Sequence, residues 1–176
     1  MSDEFGGYGG DLHGMDPYPK FEHKPILYFA GALFTRVEMD FNYSLAAYFM
    51  ARNYRVNLPQ QFCLDLKDTF QIFAACMRHL SDSDVVLVNC DGPDADSGTA
   101  FEAGWAYARS KTIISYRTDF RNGGDCEENT NLMIGKAAWK HLARPNASVT
   151  QLAESIEREI NNLPKQLRIL FERTLT

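Results

Sequence analysis

No apolar run in this 176-residue chain approaches the roughly 20 residues that span a bilayer, so a membrane-spanning helix is not expected. Positive charge is also scarce. Lys and Arg together number 18 against 23 Asp and Glu, for a net charge of -5. Proteins that grip a nucleic-acid backbone carry a basic footprint, so nucleic acid is not the expected partner. The four cysteines, Cys63, Cys76, Cys90 and Cys126, contain no C-x-x-C pair, which removes the zinc-ribbon and thioredoxin-type readings. The four histidines show no H-E-x-x-H spacing. No metal and no cofactor is expected. The acidic, Gly-rich start lacks the apolar stretch of a secretory signal. A cytoplasmic protein with free thiols is the expectation.

What is present is an alternation of short apolar runs and amphipathic stretches. Residues 1–24 are Gly-rich and charged, and are expected to be a flexible tail. Residues 25–176 are expected to form one domain. Strands are expected at 26–30, 56–58, 84–89 and 112–116, the second ended by Pro59. Helices are expected at 38–53, through Phe41, Leu45, Tyr48 and Phe49, and at 66–80, with Phe70, Phe73, Ala74 and Met77 on one face. Further helices are expected at 98–109, 131–139 and 150–162, the last through Leu152, Ile156 and Ile160. A polar loop spans 118–130, and after Pro164 a last short helix is expected at 166–175. Helix and strand alternate, which predicts an α/β fold: a flavodoxin- or Rossmann-like parallel sheet of about five strands flanked by helices.

The most telling stretch is Asp96-Ser97-Gly98-Thr99-Ala100-Phe101-Glu102-Ala103-Gly104. It follows the run Val85-Val86-Leu87-Val88 and a loop rich in Asp, Gly and Pro, an order of strand, loop and helix start. In open α/β folds that is where ligands bind. Two carboxylates flanking a scissile bond are what glycosidic chemistry requires. A plainer reading also fits. Thr99 to Glu102 matches the capping box S/T-x-x-E, and Asp96 could cap the same helix end. Gly104 permits close helix packing or is merely a tolerated helical glycine.

The run Gly92-Pro93-Asp94-Ala95-Asp96-Ser97-Gly98-Thr99-Ala100-Phe101-Glu102-Ala103-Gly104-Trp105-Ala106 resembles the signature of the nucleoside 2-deoxyribosyltransferase family. Tyr28-Phe29-Ala30-Gly31-Ala32-Leu33-Phe34 before it and Asn131-Leu132-Met133 after it extend the resemblance across roughly residues 25–135. The resemblance implies that Glu102 is a nucleophile attacking C1′ of a deoxyribose, and that Asp96 contacts the base and protonates it as it leaves. It implies that the Tyr28 hydroxyl orients Glu102, that Phe34 packs on the base and that Gln61 meets the base, a role Gln60 could fill equally. Asn131, with Met133, is implied to reach a neighbouring subunit's site, so a homo-oligomer with shared sites is expected, a dimer or a hexamer built as a trimer of dimers. The implied substrates are 2′-deoxynucleosides and free purine or pyrimidine bases, in nucleoside salvage. The chain departs from many relatives at Cys76, where they carry a carboxylate or amide. Tyr28 as a core aromatic, Phe34 as an ordinary buried residue, Gln61 as a loop residue and Asn131 as a helix cap are the plain alternatives. Asp119 and Arg121 line the pocket mouth or form a surface ion pair.

Three functions follow: base exchange, hydrolysis of a nucleoside or nucleotide N-glycosidic bond by the same Glu, and a sensor that binds without chemistry. Arg36 is the only cation close to the first loop, which ranks nucleotide phosphate below a free nucleoside.

Overall fold

In the computed structural model, residues 24–121, 124 and 129–163 are described. The chain opens with β1 (Leu27–Ala30), α1 (Arg36–Met50), β2 (Val56–Asn57), α2 (Pro59–Phe62) and α3 (Thr69–Ser81). It continues with β3 (Val85–Asn89), α4 (Ser97–Ala108), β4 (Thr112–Arg117), α5 (Leu132–Ala137), β5 (Lys140–Ala143) and α6 (Val149–Asn161). The strands form one parallel sheet in the order β2-β1-β3-β4-β5. This is the α/β fold expected, with five strands in a single domain. The tail over residues 1–23 and the helix at 166–175 lie outside the described residues.

β1 and β4 are buried throughout, and β3 along all but its last residue, as expected of strands covered on both faces. Their side chains alternate between two cores. Leu27, Phe29, Val85, Leu87, Ile114 and Tyr116 face α1 and α6, where Leu45, Phe49, Leu152, Ile156 and Ile160 cover them. Tyr28, Ala30, Val86, Val88 and Ile113 face the other side, covered by Leu80, Ala103, Ala106 and Ile134. Tyr28 is therefore on the α4 side of the sheet, as position 28 must be if 27 and 29 face α1. α1 starts at Arg36, two residues earlier than its apolar pattern suggests, because Thr35 and Glu38 form a reciprocal capping box there.

Three elements differ from expectation. Pro59 opens α2 as well as following β2, a position where its missing N–H costs nothing. β5 has no apolar run, since only Leu142 on it is buried; it exists through pairing with β4 from Ile114↔Lys140 to Arg117↔Ala143. α3 begins at Thr69, capped by Asp68, and buries Ala75 and Leu80. Of the stripe Phe70, Phe73, Ala74 and Met77, only Met77 packs against the core. Phe70 and Phe73 are exposed, and Phe73 meets the equally exposed Phe101 of α4 at 6.2 Å.

The strand order reverses between β1 and β3, which makes the crevice beyond their carboxyl ends the expected ligand site. Gly31, just after β1, supports this. A Cβ there would stand 3.1 Å from Cβ of Asn89, at the end of β3, so a larger residue would require the two strand ends to give slightly.

Candidate active site

Tyr28 from β1 and Glu102 from α4 meet under this crevice. The Tyr28 hydroxyl donates to Glu102 Oε1 at 2.5 Å, across 74 residues of sequence. Tyr28 is fully buried, and burial together with the Glu102 charge pushes its hydroxyl far above the ordinary phenol range. It therefore stays protonated, as a donor, around neutral pH. Burial also pushes Glu102 up, from 4.5 to about 7, with the Asp96 charge adding to the rise and the Tyr28 bond opposing it. A carboxylate held this far from its ordinary range inside a cleft is a mark of a chemical site.

The capping-box reading of Thr99 to Glu102 does not hold. The N-cap of α4 is Asp96, and the Glu102 carboxylate is bound by Tyr28. Asp96 does cap: Thr99 N donates to its Oδ2 at 3.1 Å and Thr99 Oγ1 at 3.4 Å. Both bonds fall on Oδ2, which leaves Oδ1 for another donor. Gly98 has a role in this, since a Cβ there would come within 3.0 Å of Asp96 Oδ2 and displace it. Gly104 does not serve close packing, because a Cβ there would meet nothing within 4 Å.

The loop that delivers Asp96 is anchored by Asp91. Its carboxylate accepts from Thr118 N at 2.6 Å, Thr118 Oγ1 at 2.7 Å and Asp119 N at 2.8 Å, joining the ends of β3 and β4. Nothing in the sequence marks Asp91 apart from its Asp-rich neighbours. Asp119 and Arg121 form an ion pair with a bidentate set of bonds, and Arg121 is exposed. Gly92 N also donates to Asp119, so the pair fastens the same loop.

The other expected site residues are spread out. Phe34 stands exposed in the loop between β1 and α1, so it is not an ordinary core residue. Gln60 is committed to structure, with Nε2 donating to Met39 O at 2.8 Å, while Gln61 is exposed. Asn131 caps α5, accepting from Met133 N at 3.0 Å. Asn131 and Met133 border an apolar cleft of about 460 Å³ that also involves Ala100, Ala103, Gly104 and Tyr107 of α4. At 100° per residue those α4 positions lie about 100–160° around the helix from Glu102. Glu102 is not among the residues that line this cleft with Asn131 and Met133. The sequence also gave no sign of Cys63, whose sulfur lies 4.0 Å from that of Cys76. Among the described residues, no three His, Cys, Asp or Glu side chains converge as a metal site, and no helix is long and apolar enough to cross a membrane.

The fold and site define an α/β protein with two interacting carboxylates at the carboxyl edge of a parallel sheet. The family profile of nucleoside 2-deoxyribosyltransferases matches residues 27–134, and the chain belongs to that family. Among solved structures, a conserved protein from Enterococcus faecalis V583 superposes with a TM-score of 0.62 at 23% identity, over 77% of this chain and 99% of that one. The 2-deoxyribosyltransferase of Bacillus psychrosaccharolyticus does so with a TM-score of 0.55 at 18% identity, over 73% and 90%. The CMP N-glycosidase BcmB of Clostridium botulinum gives a TM-score of 0.55 at 16% identity, over 76% and 98%. No curated protein sequence matches the chain.

Proposed function

We propose that the protein transfers a 2-deoxyribosyl group between nucleobases by double displacement at Glu102. The observation that carries this is the Tyr28–Glu102 hydrogen bond: it commits Glu102 to the crevice and away from helix capping. In the first half-reaction a Glu102 oxygen attacks C1′, the C1′–N bond breaks, and the electron pair leaves with the base. Asp96, at the N-terminus of the same helix, delivers a proton to a ring nitrogen as the base departs. The second base attacks C1′ of the ester from the opposite face, its N–H proton passes to Asp96, Glu102 leaves as the carboxylate, and the configuration is retained overall. A 2′-deoxy donor is preferred, since a 2′-hydroxyl withdraws electrons from an oxocarbenium-like C1′. The setting would be nucleoside salvage in the cytoplasm.

A second reading lets water accept the sugar. Its support is the fold shared with a CMP N-glycosidase. The test is to mix a deoxynucleoside with a different free base. A swapped nucleoside is expected; free deoxyribose alone favours the hydrolase, and binding without turnover sinks both.

The pH profile follows from Glu102. Glu102 must be ionised and Asp96 protonated, so the active pair holds one proton, and kcat/KM in the free enzyme is expected to fall as that proton is lost through about 7. Tyr28→Phe removes the bond that favours the Glu102 carboxylate, so this limb should move to higher pH. An unmoved limb would take Glu102 out of the pH dependence.

Site completion by a second subunit is part of the same proposal. Met133 is 77% exposed beside Asn131, on a surface that the described residues leave uncovered. A neighbour's Asn131 and Met133 would shield the sugar ester from water, favouring transfer over hydrolysis. Inactive Glu102→Ala and Asn131→Ala proteins, dissociated and reassembled together, should regain partial activity. If mixing is verified and no activity returns, both residues act within one chain.

A further inference from the structure

Cys63 and Cys76 have no part in the steps above, yet they meet beside the residues that do. Cys63 is the C-cap of α2 and Cys76 lies in the second half of α3. Both are free and partly accessible, whereas Cys90 is buried. Their sulfurs are 4.0 Å apart, and a disulfide bond is about 2.05 Å long, so closure needs an approach of about 2 Å. The connection from Cys63 to Asp68 is turn and coil, which can follow a side-chain rotation. α2 is held in place by Phe62, whose ring stacks on His79 at 4.1 Å and lies 6.4 Å from that of Tyr28. Burial and the Glu102 charge both push the two thiols up.

We propose that Cys63 and Cys76 form a disulfide-forming modification site whose oxidation state controls the Tyr28–Glu102 pair. The oxidant is a low-molecular-weight disulfide. The Cys63 thiolate attacks one of its sulfurs, the S–S bond breaks, and one small thiolate leaves. The Cys76 thiolate then attacks the Cys63 sulfur and displaces the second. Two protein thiols give up two electrons and two protons, and the small disulfide is reduced to two thiols. Cys63 attacks first because it is the less buried; burial pushes the Cys76 thiol up to about 12. Buried, protonated thiols exchange slowly, so the site answers sustained oxidation and not a brief pulse. Closing the gap draws Cys63 and the end of α2 toward α3, and Phe62, next to Cys63, shifts against the Tyr28 ring. The Tyr28 hydroxyl bonded to Glu102 is displaced with it.

The activity readout rests on the proposed function; the chemical readout does not. The reduced full chain is incubated with excess oxidised glutathione at mildly alkaline pH, remaining thiols are blocked, and peptides are mapped by mass spectrometry. A peptide linked through Cys63 and Cys76 is expected, with base exchange reduced about tenfold by misplacement of Tyr28 and restored by dithiothreitol. Cys63→Ser should keep the basal activity and ignore the oxidant. Absence of the link, a link without loss of activity, or an equal loss in Cys63→Ser overturns the proposal. A reduced protein that neither exchanges nor hydrolyses contradicts the proposed function instead, and the mapped link alone then decides whether the site exists.

Discussion

Glu102→Ala should abolish base exchange and hydrolysis together, by on the order of 10⁴-fold or more, since no other group can form the glycosyl ester. The fold should survive. The Ala variant leaves the Tyr28 hydroxyl without its acceptor, which costs on the order of 1–3 kcal/mol for a buried donor. Glu102→Gln avoids that loss because its amide oxygen can still accept, so it separates chemistry from stability. It should be equally inactive and, at higher pH, more stable than the wild type. The direction follows from the raised pKa. Below 4.5 the Glu is protonated folded or unfolded, and the variants should match. Between 4.5 and about 7 the unfolded chain ionises more readily than the folded one, so the wild type loses stability as pH rises. Above about 7 the penalty is complete, at most about 3 kcal/mol after solvent screening is allowed for. Thermal unfolding at several pH values measures it. A Gln variant with near-wild-type turnover would remove Glu102 from the nucleophile role. One with no stability gain above pH 7 would show that burial does not strain the carboxylate.

The sheet was legible because parallel strands buried on both faces are continuous apolar runs, as at Val85–Asn89 and Thr112–Arg117. α1 and α6 were legible because each buries one stripe, through Leu45 and Phe49 or Leu152, Ile156 and Ile160. β5 was not, because an edge strand with one buried side chain has no pattern and is made by its neighbour. α3 misled because its aromatic stripe meets Phe101 at the surface while its buried positions are Ala75 and Leu80. At the site, Asp96 and Glu102 are close in sequence and bear a recognisable spacing. The Tyr28–Glu102 bond spans 74 residues and depends on strand register, so only the family resemblance anticipated it. The Cys63–Cys76 approach depends on the path of α2, which the sequence did not reveal.

Asp96→Asn should slow departure of natural bases by about 10²–10⁴-fold, the usual effect of removing a general acid. Folding should suffer little, because Asn is as good an N-cap as Asp and its side-chain oxygen can still accept from Thr99 N. The substitution has a second, separable effect. The Asp96 charge helps hold Glu102 high, and the Asn variant has no acid to keep protonated, so its residual kcat/KM should rise with pH through a midpoint below about 7. A cap alone could not do both. Loss of a capping bond would lower stability and leave both the limb and the leaving-group dependence unchanged. The decisive measurement compares two donors. With a natural base, the Asn variant must expel an unprotonated leaving group and should be slow. With a leaving group that departs without protonation, it should approach the wild-type rate, because Glu102 and Tyr28 are intact. Equal losses for both donors would mean that Asp96 positions the α4 N-terminus and carries no proton. An unchanged rate with natural bases would assign the proton to solvent or to another side chain.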